Sequence, residues 1–161
     1  MAEARPSVRD IQAIAALYEQ VDNFLETLRD TEETARDDAR DHVAQKQRIN
    51  DQAYFLLAWG QLEADIEEAC RETIRRAQTH GDWRQRRAWT LYNPDDRRLS
   101  GLNFENRLTL VVEKDSDDWK RTLQHYNLRN QIAHGTLVPE RINVSSVIED
   151  FLRIQSSLAR D

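Results

Sequence analysis

The chain has 161 residues, enough for one domain with a substantial core, and 1–161 reads as a single unit. Charged residues make up 32% of it and hydrophobic ones 39%, with only four Gly and three Pro, a composition that fits soluble helices. A formal net charge of −6 excludes a protein that coats nucleic acid through a global positive field, but leaves room for a local basic site.

A single cysteine, Cys70, excludes an intrachain disulfide and a Cys-based zinc cluster; its place on an apolar helix face predicts a buried, inert thiol. No apolar run reaches membrane-spanning length, and the first residues lack the apolar segment of a signal peptide, so no membrane association is expected and the cytoplasm is the expected location.

In chain order, Ser7 with Asp10 resembles a capping box that opens a first helix. Ile11, Ile14, Tyr18, Val21, Phe24 or Leu25, and Leu28 then recur every three to four residues, an amphipathic stripe. Residues 29–41 turn sharply polar, with Glu32 and Arg36 spaced for an i,i+4 pair; they predict the projecting end of this helix and the turn into the next. Phe55, Trp59, Leu62, Ile66, Ala69, Thr73 and Ala77 form the clearest core stripe, with Glu63 and Glu67 on its flank and His80-Gly81 as its stop.

Residues around 81–102 read as an irregular connector. It interleaves Trp83, Trp89 and Tyr92 with Arg84, Arg86, Arg87, Arg97 and Arg98, the most plausible basic patch in the chain. The favoured reading is a loop pinned onto the bundle by two tryptophans; the minority reading is contact with RNA, with Arg97 and Arg98 as substrate-binding candidates. Residues 104–112 predict a short helix, because no second strand is available to pair with them. A helix opening at Ser116 or Asp117 carries acidic residues in its first turn, and Gly135 stops it. Asn143 caps a last helix with Val144, Val147, Ile148, Phe151, Leu152, Ile154 and Leu158 as its apolar positions. The expected fold is therefore all-α, an up-and-down bundle of four to five helices.

The candidate chemistry lies in Leu128-Arg129-Asn130-Gln131-Ile132-Ala133-His134-Gly135. Asn130 and His134 share a helical face, and Arg129 lies about 140° around the axis from His134. A guanidinium close to an imidazole combines anion binding with proton transfer, a suitable pair for a phosphodiester. His42, His80 and His125 lack comparable company, no spacing marks a metal site, and no cofactor is implied. This helix also carries two apolar sides, Trp119-Leu123-Tyr126-Ala133 and Leu128-Ile132. Either it runs through the middle of the bundle, or one side meets a second copy.

Arg129 and His134, four residues between them, followed by Gly135, resemble the signature of the HEPN domain family, late in an all-helical chain with one more helix to follow. The resemblance covers the helical core, and residues 128–135 match distinctively. It implies a metal-independent endoribonuclease in which the ribose 2′-hydroxyl attacks phosphorus, with two motifs meeting in a composite cleft of a homodimer. Arg129, Asn130 and His134 are then catalytic, and Glu63 is a weaker, substrate-binding candidate from the second helix. It further implies RNA as substrate, a prokaryotic toxin or antiphage setting, and an antitoxin or other regulatory protein as partner. Family members controlled by modification carry a Tyr two residues beyond the motif His; this chain has Thr136 there, which argues against that control. Two other readings compete: a non-catalytic HEPN-like module for dimerisation or RNA and nucleotide binding, and a helical protein that binds a partner through the 29–41 tip.

Overall fold

The computed structural model describes residues 6–32, 37–96, 99 and 101–158, and all their regular structure is helical. Six helices follow in order: α1 (Pro6–Glu32), α2 (Asp37–Thr79), α3 (Trp83–Trp89), α4 (Phe104–Val111), α5 (Asp117–Ala133) and α6 (Val144–Leu158). The all-α bundle is as expected.

α2 is the axis of the molecule. Its stripe reads as the sequence predicts: Phe55, Trp59, Leu62, Ile66 and Ala69 are buried, and Thr73 and Ala77 are half-buried where the stripe reaches the end of the bundle. The helix begins eighteen residues before Phe55, at Asp37, because its first half pairs with α1 as an antiparallel hairpin. Ile11, Tyr18 and Leu25 of α1 are buried in that hairpin. Pro6 already lies in α1, so Ser7 falls inside the first turn, where Pro at the first position needs no donor; the side chains of Ser7, Glu32 and Arg36 lie outside the described residues.

Around the middle of α2 an aromatic cluster joins four helices. Trp59 packs against Phe104 of α4, Tyr126 of α5 and Phe151 of α6, and Phe104 stacks on Tyr126 with centroids 4.3 Å apart. Such large rings bury the most apolar area per side chain, so this cluster dominates the core and fixes α5 against α2. Cys70 is buried there too, its thiol donating to the Arg107 carbonyl; burial pushes the thiol up to about 12, as an inert cysteine requires.

The connector departs from its expected form. Asp82 caps α3 by accepting from the Arg84 and Gln85 N–H groups, and Gln85 reaches back to the Asp82 N–H, a complete capping box. Only one of its tryptophans pins it: Trp89 is half-buried, whereas Trp83 is 60% exposed. Gln78 of α2 does the rest, donating to the Trp89 and Tyr92 carbonyls. Arg97 and Arg98 lie outside the described residues.

Candidate functional site

α5 is fixed at both ends by local chemistry. The Ser116 hydroxyl accepts from the Trp119 N–H, and Asp117 and Asp118 sit in the first turn, where the helix dipole favours carboxylates. At the other end the Gly135 N–H reaches the Ile132 carbonyl and the Thr136 N–H reaches the Gln131 carbonyl, the paired bonds of a Schellman stop. Gly135 adopts φ +82°, a left-handed conformation that side-chain-bearing residues resist. His134 is the C-cap residue of this stop.

Three of the predicted site residues come together. Arg129 donates to the Asn130 side-chain oxygen at 3.1 Å, and its guanidinium stands 3.9 Å from Glu63. Glu63 is itself held by the Trp59 indole N–H at 3.0 Å. A rigid core residue thus orients Glu63, Glu63 faces Arg129, and Arg129 is left about one-third exposed, with donors to spare for an anion. His134 is exposed; its backbone N–H closes onto the Asn130 carbonyl, and no described side chain holds its imidazole.

The two apolar sides of α5 are both covered within the one chain. Trp119 and Tyr126 face α4 and α2, while Ile132 is buried and Leu128 packs against the core on the other side. The middle-of-the-bundle reading therefore accounts for them, and Ala133, grouped with Trp119 by angle, is exposed at the helix end.

The segment after the motif is anchored by groups that lacked any motif. Gln52 donates to the Val138 carbonyl and accepts from the Val138 N–H, and Arg48 donates to the Pro139 carbonyl. Arg141 grips Asp51 through two bonds of 2.9 Å and reaches Asp22 at 2.6 Å; Tyr18 donates to the same Asp51 at 2.9 Å. Asp51 is fully buried, and three donor bonds take the place of water around its carboxylate. Burial and the bond to Asp51 raise the Tyr18 phenol, and the Asp51 bonds raise the Arg141 guanidinium despite its partial burial. One signal was readable: Asp51 continues the Phe55 and Leu62 spacing back along α2, and a carboxylate on a core stripe demands a buried partner.

His125 does have company. Its Nε2 lies 3.1 Å from Asp150 of α6, and Arg121 and Arg153 reach the same carboxylate at 3.3 and 3.1 Å. The ring sits against Phe55 and Phe151. Burial lowers the His125 pKa, outweighing the pull of Asp150, while the two arginines oppose a further cation; the neutral ring donates from Nε2. Burial alone raises Asp150, but the His125 and Arg121 bonds bring it below the usual carboxylate range.

Among the described residues no group of three His, Cys, Asp or Glu side chains is placed to hold a metal ion, and no helix is long and apolar enough to cross a membrane. No protein-family model, curated protein or solved structure matches this chain.

Proposed function

We propose that the chain is an endoribonuclease that uses Arg129, Asn130 and His134 without a metal ion. The observation that carries the reading is the Trp59–Glu63–Arg129–Asn130 relay, which presents a partly exposed guanidinium on the turn that ends in an exposed His134. In this mechanism the 2′-hydroxyl gives up its proton to solvent as its oxygen bonds to phosphorus, the P–O5′ bond breaks, and His134 delivers a proton to the departing 5′-oxygen. Arg129 stabilises the added charge on the phosphoryl oxygens, and Asn130 holds Arg129 in place. The products are a 2′,3′-cyclic phosphate and a 5′-hydroxyl. The setting implied by the HEPN resemblance is a prokaryotic toxin or antiphage effector, acting in the cytoplasm and neutralised or triggered by another protein.

A homodimer completes the site in this reading. Its surface is the exposed line of Ile49, Ala53, Leu57, Gly60 and Ala64 along α2, which runs beside Glu63, joined by exposed Leu137 from the segment after the motif. The residues recur every three to four positions, so they share one face. A second copy seated there brings two motif turns to one cleft, where a partner group can orient the unheld His134. Leu57→Glu is expected to yield a monomer by light scattering and to lose cleavage with it.

One observation favours a second reading, a non-catalytic RNA- or nucleotide-binding module: no described side chain orients the His134 ring. Incubation with total RNA in EDTA, followed by end-group analysis, separates the two. The nuclease reading predicts cyclic-phosphate ends from wild type, none from Arg129→Ala, and no cutting of DNA; a folded wild type that leaves RNA intact favours the binding module.

A further inference from the structure

Among the described residues several arginines face carboxylates. Arg71, Arg75, Arg121, Arg141 and Arg153 all make ion pairs. Arg84 and Arg87 of α3 do not: among the described residues the recorded contacts of their side chains are with one ring, Trp83, with the guanidinium carbons 5.9 and 5.5 Å from its centroid. That ring is 60% exposed, and no residue of α3 is buried. Arg86 adds a third cation on the same short helix, its guanidinium donating to the Gly81 carbonyl. Asp82, which precedes α3, accepts the Arg84 and Gln85 N–H groups as the helix cap.

A large exposed indole costs solvation free energy unless something covers it, and guanidiniums left without carboxylates seek an external anion. Together they set an exposed aromatic ring against two cations that lie over it, the aromatic-and-arginine combination by which proteins hold single strands without reading sequence. We propose that the Trp83–Arg84–Arg87 face of α3 is a docking site for single-stranded RNA, distinct from the turn that carries Arg129 and His134. One base stacks on the indole, and the two guanidiniums take the phosphates on either side of it. The site rests on the reading of RNA as substrate. α3 is tied to α2 at Gln78, and Arg129 meets α2 at Glu63, so about 22 Å of helix rise separates the two anchor points. A strand that engages both is several nucleotides long, and short fragments reach only one.

The neighbouring groove lined by Ala88, Trp89, Leu91, Tyr92, Leu102 and Leu110 is apolar and offers nothing to a phosphate. It suits a protein side chain, which makes a protein partner the rival occupant of this end of the molecule.

The test is binding of fluorescein-labelled oligouridine to the full-length His134→Ala protein, read by anisotropy across a salt series, so that cleavage plays no part. The expected result is a roughly tenfold or larger loss of affinity in Trp83→Ala, with Trp83→Phe restoring much of it. Arg84→Glu with Arg87→Glu is expected to flatten the logarithmic salt slope by about 1.4, the value for two phosphate contacts on a single strand. Circular dichroism checks folding, which these exposed positions leave intact. Unchanged affinity and slope in both variants overturns the proposal, as does parent protein that does not bind the oligomer. If RNA binding persists and the α3 variants instead change the protein's oligomeric state, the face belongs to a protein partner and the proposal is also overturned. Absence of cleavage in the end-group experiment contradicts the nuclease reading alone, because the binding readout does not depend on it.

Discussion

Two histidines stand on α5, nine residues apart, and their surroundings are opposite. His125 is sandwiched between phenylalanine rings and bonded to a carboxylate that two arginines also hold. His134 caps the same helix, exposed, one turn after the Arg129–Asn130 pair. A half-buried histidine whose Nε2 is committed to a carboxylate stabilises a fold, and that proton is not available to a substrate. An exposed one whose ring no described side chain holds has no such constraint. Company therefore does not by itself mark a catalytic residue: in the proposed reading the better-connected histidine is the structural one.

The closed networks are the place to break the fold. Asp51→Ala is expected to have the largest effect, about 3 kcal/mol of stability, because Tyr18 and Arg141 lose a fully buried partner. Urea unfolding measures it, and a loss below about 1 kcal/mol indicates that this carboxylate does not anchor the 136–141 segment.

Acidification sharpens the contrast between the histidines. His125 has a lowered pKa in the folded state, so the unfolded chain binds the extra proton first. Its contribution is fully present above about 6.5 and is lost as pH falls below that value towards the folded pKa. Asp150, also lowered, adds a further loss beneath about 3.8. The urea midpoint is expected to fall between pH 7 and pH 5 in wild type, and to fall less in His125→Phe, which keeps the ring packing but has no proton to gain. Equal slopes in the two proteins contradict a neutral, half-buried His125.

Gly135→Ala has the smallest expected effect on stability, about 1 kcal/mol, which is the cost of a left-handed conformation for an L-residue. Added methyl volume plays no part, since nothing lies within 4 Å of that position. Its value is local: it loosens the stop that places His134, so cleavage is expected to fall by more than stability does.

Most of the helical layout was legible because periodicity is a local signal. The Phe55–Ala69 stripe, the Ser116 and Asn143 caps and the Gly135 stop each depend on residues within a few positions of one another, and each is where the pattern puts it. α3 was hidden among turn-like residues, although Asp82 and Gln85 have the spacing of a capping box. The networks of Asp51 with Arg141 and of His125 with Asp150 join residues 90 and 25 positions apart, in elements whose packing no local pattern specifies. The same limit applies to the candidate site. Arg129, Asn130 and His134 were found as a motif, but only tertiary packing puts Glu63 and the Trp59 indole behind Arg129.

The central claim is that His134 is the histidine that works on the substrate. The most direct measurement is the rate of RNA cleavage in EDTA by His134→Ala relative to wild type, with unfolding midpoints recorded on the same samples. The account predicts a rate lower by about 100-fold or more, as loss of a general acid requires, with an unchanged midpoint. Equal rates from the two proteins contradict it.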